Sequence, residues 1–167
     1  TAAVMGLVLS GLPTGRFCYE GFLPVKRKLR HERLQSIKND TRTLIFYEAP
    51  HKLVRTLKDL RDVFGNRRIV LARELTKKFE EVSRITVDEA LEKYDREPPR
   101  GEFVLILEGA DEQQIKDESI SSWMGISLRE HVTGYMDNGL SKKEAMKKVA
   151  EDRGLSKRDV YNSLLEE

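Results

Sequence analysis

The stretch TRTLIFYEAPHKLVRTLKDLRDVFG, Thr41 to Gly65, decides the fold. Its first seven residues, Thr41 to Tyr47, are a run of strand formers. Beyond Ala49-Pro50, the apolar residues Leu53, Leu57, Leu60 and Phe64 recur at helical spacing. Pro50 suits the first turn of that helix, and Gly65 ends it. A strand therefore turns directly into an amphipathic helix. Downstream, Ile69-Val70-Leu71-Ala72 and Phe103-Val104-Leu105-Ile106-Leu107 read as buried strands. Upstream, residues 1–12 read as a short helix stopped by Gly11 and Pro13, and Phe17, Tyr19 and Phe22 as a brief aromatic strand closed by Pro24. Between Val25 and Lys38, Leu29, Leu34 and Ile37 are spaced for a helix with a basic opposite face. Strands alternating with amphipathic helices predict an α/β layer structure.

After Gly109 the composition changes. Residues 110–122 are polar and read as a linker. The remainder, 123–167, has three capping boxes and no strand pattern: Ser127–Glu130, Ser141–Glu144 and Ser156–Asp159. Gly139 and Gly154 stand where helices end. The chain is thus expected to comprise an α/β part, 1–109, a linker, 110–122, and a three-helix, helix-turn-helix-like part, 123–167.

The 167 residues are 39% hydrophobic and 35% charged, too apolar for disorder and too charged for a membrane protein. No apolar run reaches bilayer length. The lone Cys18 favours a reducing compartment, so a cytoplasmic location is expected. Residues 1–108 carry 21 basic and 16 acidic side chains, a net of +5; residues 109–167 carry 9 and 12, a net of −3. A polyanionic partner is compatible with the first part. His31, His51 and His131 lie far apart and no Cys or His pair has ligand spacing, so no metal site is expected.

The dense polar stretches sit at strand ends, where open α/β sheets bind ligands. Glu48 stands at a strand-to-helix turn, facing either a ligand crevice or only the helix N-terminus. Six charged residues crowd between Arg73 and Glu81, as a ligand-facing loop or a solvated one laced with weak ion pairs. Gly101 permits close backbone approach by a ligand and is equally a turn glycine. Arg16, Lys26, Arg27, Lys28, Arg30 and Arg33 are interleaved with aromatics, forming either a phosphate-contacting surface or a basic solvent face.

SGLPTGRFCYEGFLPVK, TLIFYEAPHKL, VLARELTKKFEEV and RGEFVLILEG occur in this order. Together they resemble the carboxyl-terminal domain of the tetrapyrrole methylase (class III) methyltransferases, and more narrowly the branch that modifies ribosomal RNA. The tail, GLSKKEAMKKVAEDRGLSKRDVYNSLL, is similar to the small helix-turn-helix-like domain ending many members. The resemblance implies the carboxyl-terminal α/β domain of the tetrapyrrole methylase fold, S-adenosylmethionine as cofactor, and usually a homodimer. It further implies methylation of the ribose 2′-hydroxyl of a cytidine in small-subunit ribosomal RNA. Family members begin with a domain carrying a glycine-rich cofactor loop, and nothing here matches it; the chain is expected to be part of a longer protein, inactive alone. The resemblance places Phe46, Tyr47, Ala72, Arg73 and Gly101 at the cofactor, Glu48 and Glu74 as candidate catalytic carboxylates, and Arg16, Lys26, Arg27, Lys28 and Arg30 at RNA phosphates. Two alternatives stand beside it: a non-catalytic RNA-binding module, and a methyltransferase of the same fold acting on a tetrapyrrole or a protein.

Overall fold

A computed structural model describes residues 2–166; the expected helix start at Thr1 lies outside them. Two compact units divide between Asp111 and Glu112.

In the first unit the order is α1 (Ala2–Ser10), β1 (Phe17–Phe22), α2 (Arg27–Ser36), β2 (Thr43–Glu48), α3 (Pro50–Phe64), β3 (Arg68–Arg73), β4 (Glu81–Thr86), α4 (Val87–Arg96) and β5 (Phe103–Leu107). The five strands form one sheet in the order β1-β2-β5-β3-β4. Only β1 and β2 run parallel; the other neighbours are antiparallel. β4 and α4 were not expected from the sequence. Their signal was the capping box at Thr86 and Glu89, which the structure contains.

The period-2 alternation of the strands divides the core in two. Leu44, Phe46, Ile69, Leu71, Phe103, Leu105 and Leu107 face one side. There they pack on Leu34 of α2, on Leu53, Leu57 and Leu60 of α3, and on Ala90 and Tyr94 of α4. Burying each such leucine contributes about 1.5–3 kcal/mol. Ile45, Val70, Ala72, Val104 and Ile106 face the other side and meet Leu7 and Leu12 in and after α1. Gly6 lets α1 approach closely: a Cβ there would come within 3.1 Å of Ile106 and 3.2 Å of Val104.

One irregularity positions an aromatic wall. The pairing of β1 with β2 slips by one residue between Tyr19 and Gly21. Three residues apart, Tyr19 and Phe22 would ordinarily face opposite sides. The bulge brings both rings onto Tyr47, edge-on, with centroids 5.5 and 5.6 Å away.

The second unit holds α5 (Glu112–Trp123), α6 (Leu128–Asp137), α7 (Lys142–Arg153) and α8 (Lys157–Glu166). Residues 110–122, read as a linker, thus hold a helix. It lacks an apolar stripe and is supported along its length by Gln113–Asp117 and Gln114–Glu118 hydrogen bonds, one turn apart. The other three helices start at the capping boxes named above. Val132, Ala145, Val149, Ala150 and Val160 form their core.

Candidate active site

The carboxyl ends of β2 and β3 and the amino ends of β4 and β5 lie at one edge of the sheet, as the antiparallel registers Glu48–Phe103, Arg73–Phe103 and Arg73–Glu81 require. At this edge a concavity of about 470 Å³ opens on the α1 side. Its floor is apolar: Tyr47, Ala72, Val104 and Phe22. Its rim is polar, with Glu74, Glu102 and Lys77, and the buried Glu48 also lines it.

Strand parity sorts the expected cofactor residues. Tyr47 and Ala72 line the concavity. Phe46, next to Tyr47, points to the opposite side of the sheet, where it is fully buried against α3. Arg73, next to Ala72, also turns away and binds Glu81, 2.6 Å from its carboxylate. Lys93 meets the same carboxylate at 2.6 Å. The Lys93 hydrogen bond, with that from Arg73, holds the Glu81 pKa down at about 2. Gly101 touches Glu74 instead of the cavity. At the Gly101-Glu102 strand entry it is Glu102 that lines the site, and Val104 and Phe22 line it without having been expected there; alternation along β5 was the available signal for Val104.

Both candidate residues line the concavity, and both carboxylates are already held. Glu48 is only 5% exposed. One of its oxygens accepts from the Ala49 N–H at 2.9 Å and the other from the Thr56 hydroxyl at 2.6 Å. It thus serves the exposed start of α3, whose N-cap residue Ala49 has no side chain able to do so. Glu74 has a left-handed backbone, φ 51°, as does Thr76, φ 67°. Non-glycine residues pay for this geometry in strain, which gathers at functional loops. Glu74 accepts from the Glu102 N–H at 3.3 Å and lies 3.2 Å from the Lys77 ammonium. The Lys77 contact first, and the Glu102 N–H second, keep its carboxyl below the usual range. The Tyr47 hydroxyl accepts from the Ala3 N–H at 3.0 Å, satisfying a free donor in the first turn of α1.

The basic stretch is not uniform. Arg16, Lys26, Arg27 and Lys28 are exposed. The last three open α2, whose first turn has no acidic side chain and whose N-cap has no side-chain bond. Arg30 is different. It is 3% exposed, ion-paired with Asp59 at 2.6 Å, and donates to the carbonyls of Pro24 and Val25. It fastens α2 to α3 and cannot reach a phosphate as placed. Arg33 holds Glu20 through two parallel hydrogen bonds. Among the described residues, no group of three His, Cys, Asp or Glu could hold a metal ion, and no helix is long and apolar enough to cross a membrane.

A sheet with these helices, and a ligand-sized concavity where β2 and β3 end, agrees with the chain's relationships: it belongs to the tetrapyrrole methylase family. The profile of Tetrapyrrole (Corrin/Porphyrin) Methylases matches residues 1–91. Within that family it is similar to proteins named ribosomal RNA small subunit methyltransferase I. It is 45% identical to that of Halalkalibacterium halodurans over 161 residues, covering 96% of this chain and 55% of that protein. It is 40% identical to that of Bacillus subtilis over 162 residues, covering 97% and 55%. With that of Escherichia coli O157:H7 the identity is 39% over 171 residues, covering 99% and 56%. The chain therefore spans little more than half the length of these relatives. Among solved structures, the methyltransferase CobJ shares the fold: TM-score 0.52, 22% identity, covering 66% of this chain and 48% of that one.

Proposed function

We propose that this chain is part of an S-adenosylmethionine-dependent methyltransferase of small-subunit ribosomal RNA, acting on the ribose 2′-hydroxyl of a cytidine, and that it supplies one wall of the donor cavity. The observation that carries this reading is the concavity of about 470 Å³ with an apolar floor and the carboxylates of Glu74 and Glu102 at its rim, in a chain of this family. The residues fit the cofactor chemically. Ala72, Val104 and Tyr47 offer an apolar surface suited to a nucleoside, and Glu74 and Glu102 suit a cation rather than a phosphate. When bound, S-adenosylmethionine supplies an electrophilic methyl group carried on a positively charged sulfur.

In this reading Tyr47 and Ala72 contact the cofactor. Phe46 and Arg73 support them from the other side of the sheet, and Gly101 acts through Glu74. Glu74 does not take the ribose proton: its lowered pKa makes it a poor base. Its role is electrostatic. Glu48 orders the turn between β2 and α3. Arg16, Lys26, Arg27 and Lys28 face RNA phosphates, an arrangement supported by three cations at a helix start, where anions are favoured. Homodimerisation belongs to the same reading and is measured by sedimentation.

The test joins this chain to the part of the Bacillus subtilis relative that it does not match. The fused protein is expected to bind S-adenosylmethionine by calorimetric titration and to transfer a labelled methyl group to small-subunit ribosomal RNA. The chain alone is expected to bind the cofactor weakly. Absence of methyl transfer by a folded, cofactor-binding fusion defeats the proposal.

A further inference from the structure

A second concavity lies in the second unit. α7 and α8 pack through Ala145, Val149 and Val160. Beside that contact, a concavity of about 420 Å³ is lined by Lys142, Lys143, Met146, Lys157 and Tyr161. Helical spacing gathers these side chains: Met146 follows Lys142 and Lys143 by one turn on α7, and Tyr161 follows Lys157 by one turn on α8.

The three lysines are exposed, and no ion pair among the described residues engages them. The nearest carboxylates in the chain, Glu144 and Asp159, are occupied by the caps of Ser141 and Ser156. Helix stability does not explain the lysines, because the first turn of a helix favours acidic side chains. Three cations thus converge on one concavity without a counter-charge. Tyr161 stands beside them, 51% exposed.

We infer that this concavity binds single-stranded RNA, with Lys142, Lys143 and Lys157 on successive phosphates and a base stacked on Tyr161. An aromatic ring flanked by cations is the combination with which proteins hold single strands. An acidic peptide would satisfy the lysines, but only a nucleic acid brings a stacking face with every phosphate it places. Residues 112–167 carry 9 Lys and Arg against 11 Asp and Glu, a net of −2. Attraction is therefore confined to the concavity, which suits a short single strand better than a duplex laid across the whole unit. The site lies in a different unit from the donor cavity and does not depend on the methyl-transfer reading.

The experiment follows fluorescence anisotropy of an unstructured, labelled RNA of about ten nucleotides with the full chain at several salt concentrations. The triple variant Lys142→Ala, Lys143→Ala, Lys157→Ala is expected to weaken binding at least roughly tenfold. It should also flatten the logarithmic salt slope by about two, the value for three phosphates on a single strand. Tyr161→Leu is expected to weaken binding about fivefold or more with the slope unchanged, and Tyr161→Phe to retain it. Lys148→Ala, outside the concavity, should bind as the parent does, and circular dichroism should show every variant helical. The inference is overturned if the parent binds no RNA at low salt, or if the folded triple variant keeps the parental affinity and slope. Equal binding by Tyr161→Leu, or inorganic polyphosphate competing as well as RNA, also overturns it.

Discussion

Gly101 and Glu74 occupy one space: a Cβ on Gly101 would lie 2.6 Å from Oε1 of Glu74 and 2.9 Å from its Cγ. Gly101 is also left-handed, φ 78°, so an alanine there meets two separate penalties. Gly101→Ala is expected to destabilise the first unit by about 1–3 kcal/mol, read as a lower urea midpoint. In a Glu74→Ala background the steric part disappears and the backbone part remains. The second substitution should therefore cost visibly less there. Equal costs in both backgrounds would refute the contact.

Thr56 is fully buried and exists in this position to serve Glu48. Thr56→Val keeps the shape and strips one oxygen of a buried carboxylate of its donor. The expected loss is about 1–3 kcal/mol in denaturant unfolding. Thr56→Ser keeps the hydroxyl and should recover most of it.

Arg30 and its neighbours Lys26, Arg27 and Lys28 should behave oppositely. Arg30→Met leaves Asp59 without its partner and should cost about 3 kcal/mol of stability. Replacing Lys26, Arg27 and Lys28 by alanine should leave the urea midpoint nearly unchanged and reduce affinity for RNA, with a shallower salt slope. A phosphate role for Arg30 would be revived by an Arg30→Met variant that folds normally and loses RNA binding.

The second unit should weaken in mild acid. His131 stacks between Trp123 and Tyr135, accepts from the Arg153 guanidinium at 3.2 Å, and lies 3.5 Å from Asp152. Burial first, and the Arg153 charge second, push its pKa below 6.5, against a smaller upward effect of Asp152. The folded state therefore takes up its proton later than the unfolded state. The unit has full stability above pH 6.5 and loses it as pH falls from there toward the folded-state pKa, where the loss levels off. Fluorescence of Trp123, the only tryptophan, should report unfolding at progressively lower urea through that window. His131→Gln should flatten the dependence.

Much of the layer structure was legible because its signals are local. TLIFY followed by Pro50 and leucines at helical spacing could scarcely become anything else, and the capping boxes of the tail mark helix starts to the residue. α5 was not legible: Glu112–Trp123 has almost no apolar periodicity, and its anchorage comes from Trp123 against His131 in the next helix and Arg153, 30 residues along the chain. At the candidate site, sequence reasoning named strand ends that the structure brings to one concavity but treated adjacent residues alike. Tyr47 and Phe46, or Ala72 and Arg73, cannot share a side of a sheet, and alternation alone would have separated them. The pairing of Gly101 with Glu74 was beyond reach, because it joins positions 27 residues apart through a loop. Nor did the basic run reveal that Arg30 turns inward to Asp59.

The slipped register of β1 means that this wall is written in the counting of residues as much as in their kinds. Regular pairing of the same six residues, with Glu20 taken into the ladder, would leave every aromatic in place yet swing Phe22 to the far side of the sheet, whereas removing Glu20 would straighten β1 and keep Phe22 opposite Tyr47. Relatives that lack one residue here could keep the same aromatic wall on a straight strand, while relatives of equal length that lost the slip would turn one ring out of the vestibule.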